Sequence, residues 1–179
     1  VIEKAWLQDK RWSDRFLPEI KQILGLHLIG EPPVEEDQER NTDLMVLKMD
    51  PVRIGCRVRR NTYLSNDEYA GQFTIRAGRP SGVKTELTKV IEGWGDYFFY
   101  AFCDEQEELL ERWSLCSLNT FRVWFNRQIM KNNGQLPGDK IPNRDNSSFF
   151  MAFTFADLPE DFVIADNWQD AEIQAECPF

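Results

Sequence analysis

Three arginines on two neighbouring extended stretches carry the strongest chemical signal in this chain. Over residues 53–60, Ile54, Cys56 and Val58 alternate with Arg57 and Arg59, so a strand places both guanidinium groups on one face. Residues 72–76 repeat the alternation, with Phe73 and Ile75 inward and Arg76 at the end. Three guanidinium groups on adjoining strands repel one another unless an anion or carboxylates lie between them. The planar fork of arginine matches phosphate in a bidentate way, which makes an anion a natural occupant. Arg79 and Lys84, in and just after a Gly/Pro/Ser-containing loop at 77–82, extend the same surface. The start of a helix expected at 83–92 adds partial positive charge there. The alternative is that carboxylates from the acidic C-terminal part pair with these arginines.

The charge distribution sharpens this choice. The whole chain of 179 residues carries a net charge of −9, which does not favour a nucleic-acid partner. Residues 53–89, however, hold eight basic side chains against three acidic ones. A basic island in an acidic protein can bind anions locally despite the overall sign. Other chemistry is limited by composition. The four cysteines form no C-x-x-C pair and His27 is the one histidine, so a Cys/His zinc site is not expected. Scattered cysteines of this kind read as reduced thiols in a cytoplasm-like compartment. Glu86 and Lys89 fall one turn apart on the expected helix, where the simplest reading is an exposed ion pair. Asp43 stands at the start of a short apolar run, where a carboxylate caps backbone N–H groups. Trp94, Tyr97, Tyr100, Trp113 and Trp124 could stack on bases, although core packing is the commoner use of such rings.

The elements that must position these side chains read as an α/β fold in one domain spanning 1–179. Apolar residues at three- and four-residue steps predict a helix over 3–29, divided at Pro18. Residues 30–40 are a loop rich in proline and carboxylates. Strands follow at 44–48, 53–60 and 72–76, then the helix at 83–92, stopped by Gly93, and an aromatic strand at 96–102. Residues 105–132 read as one or two helices ended by Asn133-Gly134. Residues 149–155 and 162–164 read as further strands, followed by an acidic tail. No apolar run approaches the ~20 residues that a membrane-spanning helix needs.

The order helix, strand, strand, strand, helix, strand over residues 5–102 resembles the core of the PD-(D/E)xK nuclease superfamily, which includes restriction endonucleases and Holliday-junction resolvases. The local likeness lies in Asp43-Leu44-Met45-Val46-Leu47-Lys48, a turn, and Ile54-Gly55-Cys56-Arg57-Val58-Arg59. The resemblance implies a restriction-endonuclease-like core, with residues 103–179 as a helical and acidic extension. It also implies metal-dependent cleavage of DNA, in which carboxylates converge on Mg²⁺ or Mn²⁺ to polarise phosphate and generate hydroxide. Carried over by position, Glu19 is the helix acid and Asp43 a metal ligand. Arg57 stands where the family has an acid, and Arg59 where it has lysine. A migrated acid would make Glu86 the second carboxylate, with Lys89 as its basic partner and Gln72 as a weak further ligand. The catalytic set is then Asp43, Glu86, Lys89 and Arg59, and the DNA-binding set is Arg57, Arg59, Arg76, Arg79 and Lys84. Two alternatives stand beside it. One is an inactive relative that binds nucleic acid or a nucleotide through Arg57, Arg59 and Arg76. The other is a phage or mobile-element factor that meets a protein partner through its acidic C-terminal part. A homodimer is the default assembly for this class.

Overall fold

The computed structural model describes residues 8–9, 11–30, 45–46, 52–79, 82–143 and 148–168. Asp43, Lys48 and the acidic tail beyond residue 168 lie outside the described residues, as do residues 31–40 of the loop expected at 30–40, whose first residue, Gly30, ends a short strand.

The opening helical stretch is divided as Pro18 requires. Residues 11–14 are helical, a turn follows at 15–16, and α1 runs over Leu17–Leu28. Pro18 falls in the first turn of α1, where its missing N–H has no carbonyl to meet. Two-residue strands β1 (Ile29–Gly30) and β2 (Met45–Val46) pair antiparallel. Strand β3 (Ile54–Arg59) is followed by two four-residue helices, α2 (Asn61–Leu64) and α3 (Asp67–Ala70). Then come β4 (Gln72–Gly78), α4 (Glu86–Ile91) and β5 (Tyr97–Cys103). Thr85 caps α4 by accepting the Thr88 N–H at 3.3 Å, and Gly93 beyond its end has φ +98°.

The chain forms a mixed four-stranded sheet in the order β3-β5-β6-β9 and a three-stranded sheet in the order β4-β8-β7. In the first, β3 runs parallel to β5, and β6 (Leu110–Ser117) and β9 (Val163–Asp166) continue it antiparallel. In the second, β7 (Asp139–Pro142) and β4 flank β8 (Phe149–Thr154), all antiparallel. The α/β class expected from the sequence is therefore present. Strands β3 and β4, neighbours in the chain, nonetheless lie in different sheets.

Residues 110–117 depart from the expected helix. Leu110–Ser117 forms β6, inside the sheet between β5 and β9, and only Leu118–Lys131 is helical (α5). The reason is two-sided burial. Leu110 and Leu115 pack on one face of the sheet and Cys116 on the other, so the segment is apolar on both sides. Such a strand loses the period of two that marks a half-buried one. Ser117 starts α5 by accepting the Thr120 N–H at 3.2 Å. Asn133 and Gly134 end it in left-handed conformations (φ +53° and +87°), with Gly134 N–H bonded to the Ile129 carbonyl at 2.8 Å. The strands at 139–142, 149–154 and 163–166 make the C-terminal part more sheet-like than the helical extension expected for it.

Two apolar clusters lie on the two faces of the four-stranded sheet. The smaller joins Phe16 and Ile20, at and just ahead of the first turns of α1, to Val58, Phe99, Ala101, Cys103, Leu110 and Leu115. The larger fills the space between β5 and the three-stranded sheet, with α4 and α5 contributing Leu87, Val90, Phe121 and Phe125. Phe73 of β4 sits within it, stacked on Phe153 and Phe162 at 5.3 Å each and edge-on to Tyr100 and Phe121. Cys56, Cys103 and Cys116 are free thiols, and burial pushes the Cys116 thiol far above its ordinary range. Among the described residues no helix is long and apolar enough to cross a membrane.

Candidate anion-binding site

Strands β3 and β4 each end a sheet, and side chains from these two strands meet near the start of α4. On β3, Arg57 lies opposite Tyr100 and Arg59 opposite Phe102, so both arginines share the face of the larger cluster. The expectation of a common face is met. Arg57 forms an ion pair with Oε2 of Glu86, in the first turn of α4. The same oxygen accepts the backbone N–H of Arg76 at 3.2 Å. Glu86 thus takes up a main-chain donor on the strand that ends the second sheet, where a neighbouring strand would otherwise bond.

One ring serves two of the cations. The guanidinium carbons of Arg57 and Arg76 lie 5.2 and 5.0 Å from the ring centroid of Phe150 on β8. Arg59 is held separately. Its Nη1 donates to the Tyr100 hydroxyl at 3.3 Å, and its guanidinium carbon lies 3.7 Å from the ring centroid of Tyr63 on α2. Rings and hydroxyl fix the planar groups without neutralising them. The electrostatics show the remaining imbalance. Burial lowers the Arg76 pKa, the positive charges of Arg79 and Arg57 lower it further, and Glu86 and Asp9 act the other way. Nε of Arg76 is buried with no hydrogen-bond partner. Among the described residues Arg59 and Arg79 have no carboxylate partner.

The remaining candidates are placed elsewhere. Lys84 donates to both carboxylate oxygens of Glu92 at 2.7 Å, an exposed pair that removes it from the arginine group. Lys89 is exposed on α4, and the expected ion pair with Glu86 gives way to Glu86–Arg57. The N-terminus of α4 is taken by the Thr85 cap and by Glu86, and the helix is six residues long. Glu19 accepts the Leu110 N–H with both oxygens, at 3.1 and 3.0 Å. It belongs to α1, which packs on the sheet face opposite α4, so the sheet separates it from Glu86. Gln72 is at the far end of β4, opposite Thr154.

A divalent cation of the magnesium type needs several oxygens converging at near-octahedral geometry. Glu86 is committed to a guanidinium and a backbone N–H, and Glu19 lies across the sheet. These two carboxylates do not fit such a centre. Among the described residues no three of His, Cys, Asp and Glu are grouped to hold a metal ion.

Most of the rings singled out in the sequence are packing residues. Tyr100 is buried, Trp113 stacks on Phe99 at 5.6 Å, and Trp124 packs on Phe121 and Phe153 at 5.9 and 6.0 Å. Trp94 is exposed. Tyr100 does reach Arg59, through its hydroxyl, but the rings whose faces carry Arg57, Arg59 and Arg76 are Tyr63 and Phe150, which lie outside that set. Tyr63 follows Arg59 by four residues, a local signal that was available; nothing in the sequence joins Phe150 to Arg57.

Glu86→Gln is expected to cost about 1–2 kcal/mol, the scale of a hydrogen bond to a charged group in a partly exposed setting. Urea unfolding measures it. Millimolar inorganic phosphate should recover more stability in Glu86→Gln than in the parent, because the arginines then lack their internal carboxylate.

Searches with the chain and its structure match no protein-family model, no curated protein and no solved structure.

Proposed function

We propose that this protein binds nucleic acid or a nucleotide through Arg57, Arg59 and Arg76, as a non-catalytic counterpart of the restriction-endonuclease-like nucleases its element order resembles. One observation carries the reading: guanidinium groups from two sheets, Arg57 and Arg76, converge on the Phe150 ring with a single carboxylate, Glu86, paired to Arg57, Arg79 nearby and positive charge in excess. Phosphate supplies what that arrangement lacks, a multivalent anion with oxygens matched to the guanidinium fork. The pairing of Glu86 Oε2 with Arg57 and the Arg76 N–H leaves one oxygen of this carboxylate for a cation and sets a guanidinium beside it, which favours binding over metal-assisted cleavage.

The test is fluorescence anisotropy of labelled oligonucleotides over a range of salt, with a nicking assay on supercoiled DNA in Mg²⁺, Mn²⁺ or EDTA. Affinity is expected to fall linearly with salt on logarithmic axes. Arg57→Ala should weaken binding across all sequences and reduce the slope by about one phosphate contact. Salt-insensitive binding, or none, overturns the proposal. Metal-dependent nicking overturns its non-catalytic half and returns Asp43 and Glu86 to the position of metal ligands in a nuclease.

A further inference from the structure

We infer that the ligand of the arginine face is a single-stranded nucleic acid, its backbone followed by Arg57 and Arg59 and an unpaired base received at the Arg59–Tyr63 stack. This rests on the nucleic-acid reading above. Arg57 and Arg59 share a strand face two residues apart, their Cα atoms separated by about 6.6 Å from the strand rise, and their guanidinium groups are held on different partners, Phe150 and Tyr63. This spacing is the scale of the step between successive phosphates in an extended strand, so each guanidinium can meet its own phosphate.

The second observation is aromatic. The sequence turns directly from β3 into α2 and α3, which bring Tyr63 beside Arg59 and Tyr69 against Tyr63. Tyr63 is 40% exposed, carries the Arg59 guanidinium at 3.7 Å, and meets Tyr69 edge-on at 6.1 Å. The Tyr100 hydroxyl anchors Arg59 from the protein side. A partly exposed stack of guanidinium and phenol presents flat, weakly hydrated surface next to a phosphate-binding group. Nucleobases have matching faces, and stacking on such platforms tolerates any sequence. In a duplex those faces are covered by neighbouring base pairs; in a single strand they are free. The α2 and α3 helices are four residues each, too short to lie in a major groove as a recognition helix does.

The experiment compares four labelled ligands of equal length by anisotropy: oligo-dT, oligo-rU, a DNA duplex, and an abasic phosphodiester strand. Wild type should bind oligo-dT or oligo-rU about tenfold or more tighter than the duplex or the abasic strand, on the usual scale of base stacking. Tyr63→Ala should remove about that factor for the base-bearing single strand and leave its salt slope and abasic-strand affinity unchanged. Tyr63→Phe should retain the preference. An unchanged slope separates stacking from mere support of Arg59, because losing the Arg59 phosphate contact would lower the slope. Thermal melts establish that each variant is folded. Equal affinity for duplex and single strand, or a neutral Tyr63→Ala, overturns the inference while Arg57-dependent binding leaves the broader reading intact. Absence of binding to all four ligands overturns both.

Discussion

Phe73→Ala should unfold at a temperature on the order of 10 °C below the parent, reflecting a loss of about 3–5 kcal/mol typical of a buried phenylalanine. Phe73 is 1% exposed and lies between the two sheets. Its ring contacts Phe153 of β8, Phe98 and Tyr100 of β5, Phe121 of α5, and Phe155 and Phe162 beyond β8. Deleting it opens a cavity walled by rings that are themselves buried and tied to separate elements, so collapse around the void is restricted. Urea unfolding checks the magnitude, and near-ultraviolet circular dichroism checks whether the ring cluster keeps its order. A loss below about 1 kcal/mol would mean that the two sheets do not pack through this residue.

Gly138→Ala should cost clearly more than Gly134→Ala, and the comparison isolates the reason. Both glycines have φ +87°. An added Cβ at Gly134 meets nothing within 4 Å, so alanine there costs only the left-handed conformation, about 1–2 kcal/mol. At Gly138 the Cβ would collide with the backbone carbonyl oxygen of Ala152 and press on the Phe153 ring at 3.0 Å. The carbonyl belongs to the central strand of its sheet, held by β4 and β7, and cannot swing away. Overpacking adds about 1–3 kcal/mol to the conformational term. Thermal melts of the two variants side by side provide the comparison. Equal shifts would show that the approach of Gly138 to Ala152 is not close in solution.

The arginine face shows how far sequence reasoning reaches. Alternation over Ile54–Arg59 places Arg57 and Arg59 together because strand geometry is local and admits no other result. The acid–base pairing on α4 is not legible in the same way. Glu86 and Lys89 are one turn apart, and an exposed helix would pair them. Yet α4 turns Leu87 and Val90 into the core, which aims Glu86 at the β3 and β4 side chains, where Arg57 and the Arg76 N–H are. The carboxylate expected to join it, Glu19, fails for a similar reason. Phe16 and Ile20 must be buried against Val58 and Phe99, which puts α1 on the opposite side of the sheet. Segment 110–117 forms a strand where the sequence predicts a helix because its apolar residues serve two faces, and periodicity cannot separate a doubly covered strand from a helix.

By itself, then, the sequence determined what depends on neighbours along the chain. It dictated the α/β composition, the division at Pro18, the Gly93 stop of α4, the Asn133-Gly134 stop of α5, and the shared face of Arg57 and Arg59. Only the tertiary structure decided which sheet each strand joined, that Glu86 would be occupied by Arg57, and that Phe150 and Tyr63 would become the rings beneath the cations. Local propensities and caps act over a few residues through backbone geometry and short hydrogen bonds. The partners of Glu86 and Arg57 were instead selected by burial of the phenylalanine-rich core, which joins residues far apart in sequence and is indifferent to which charges it brings together.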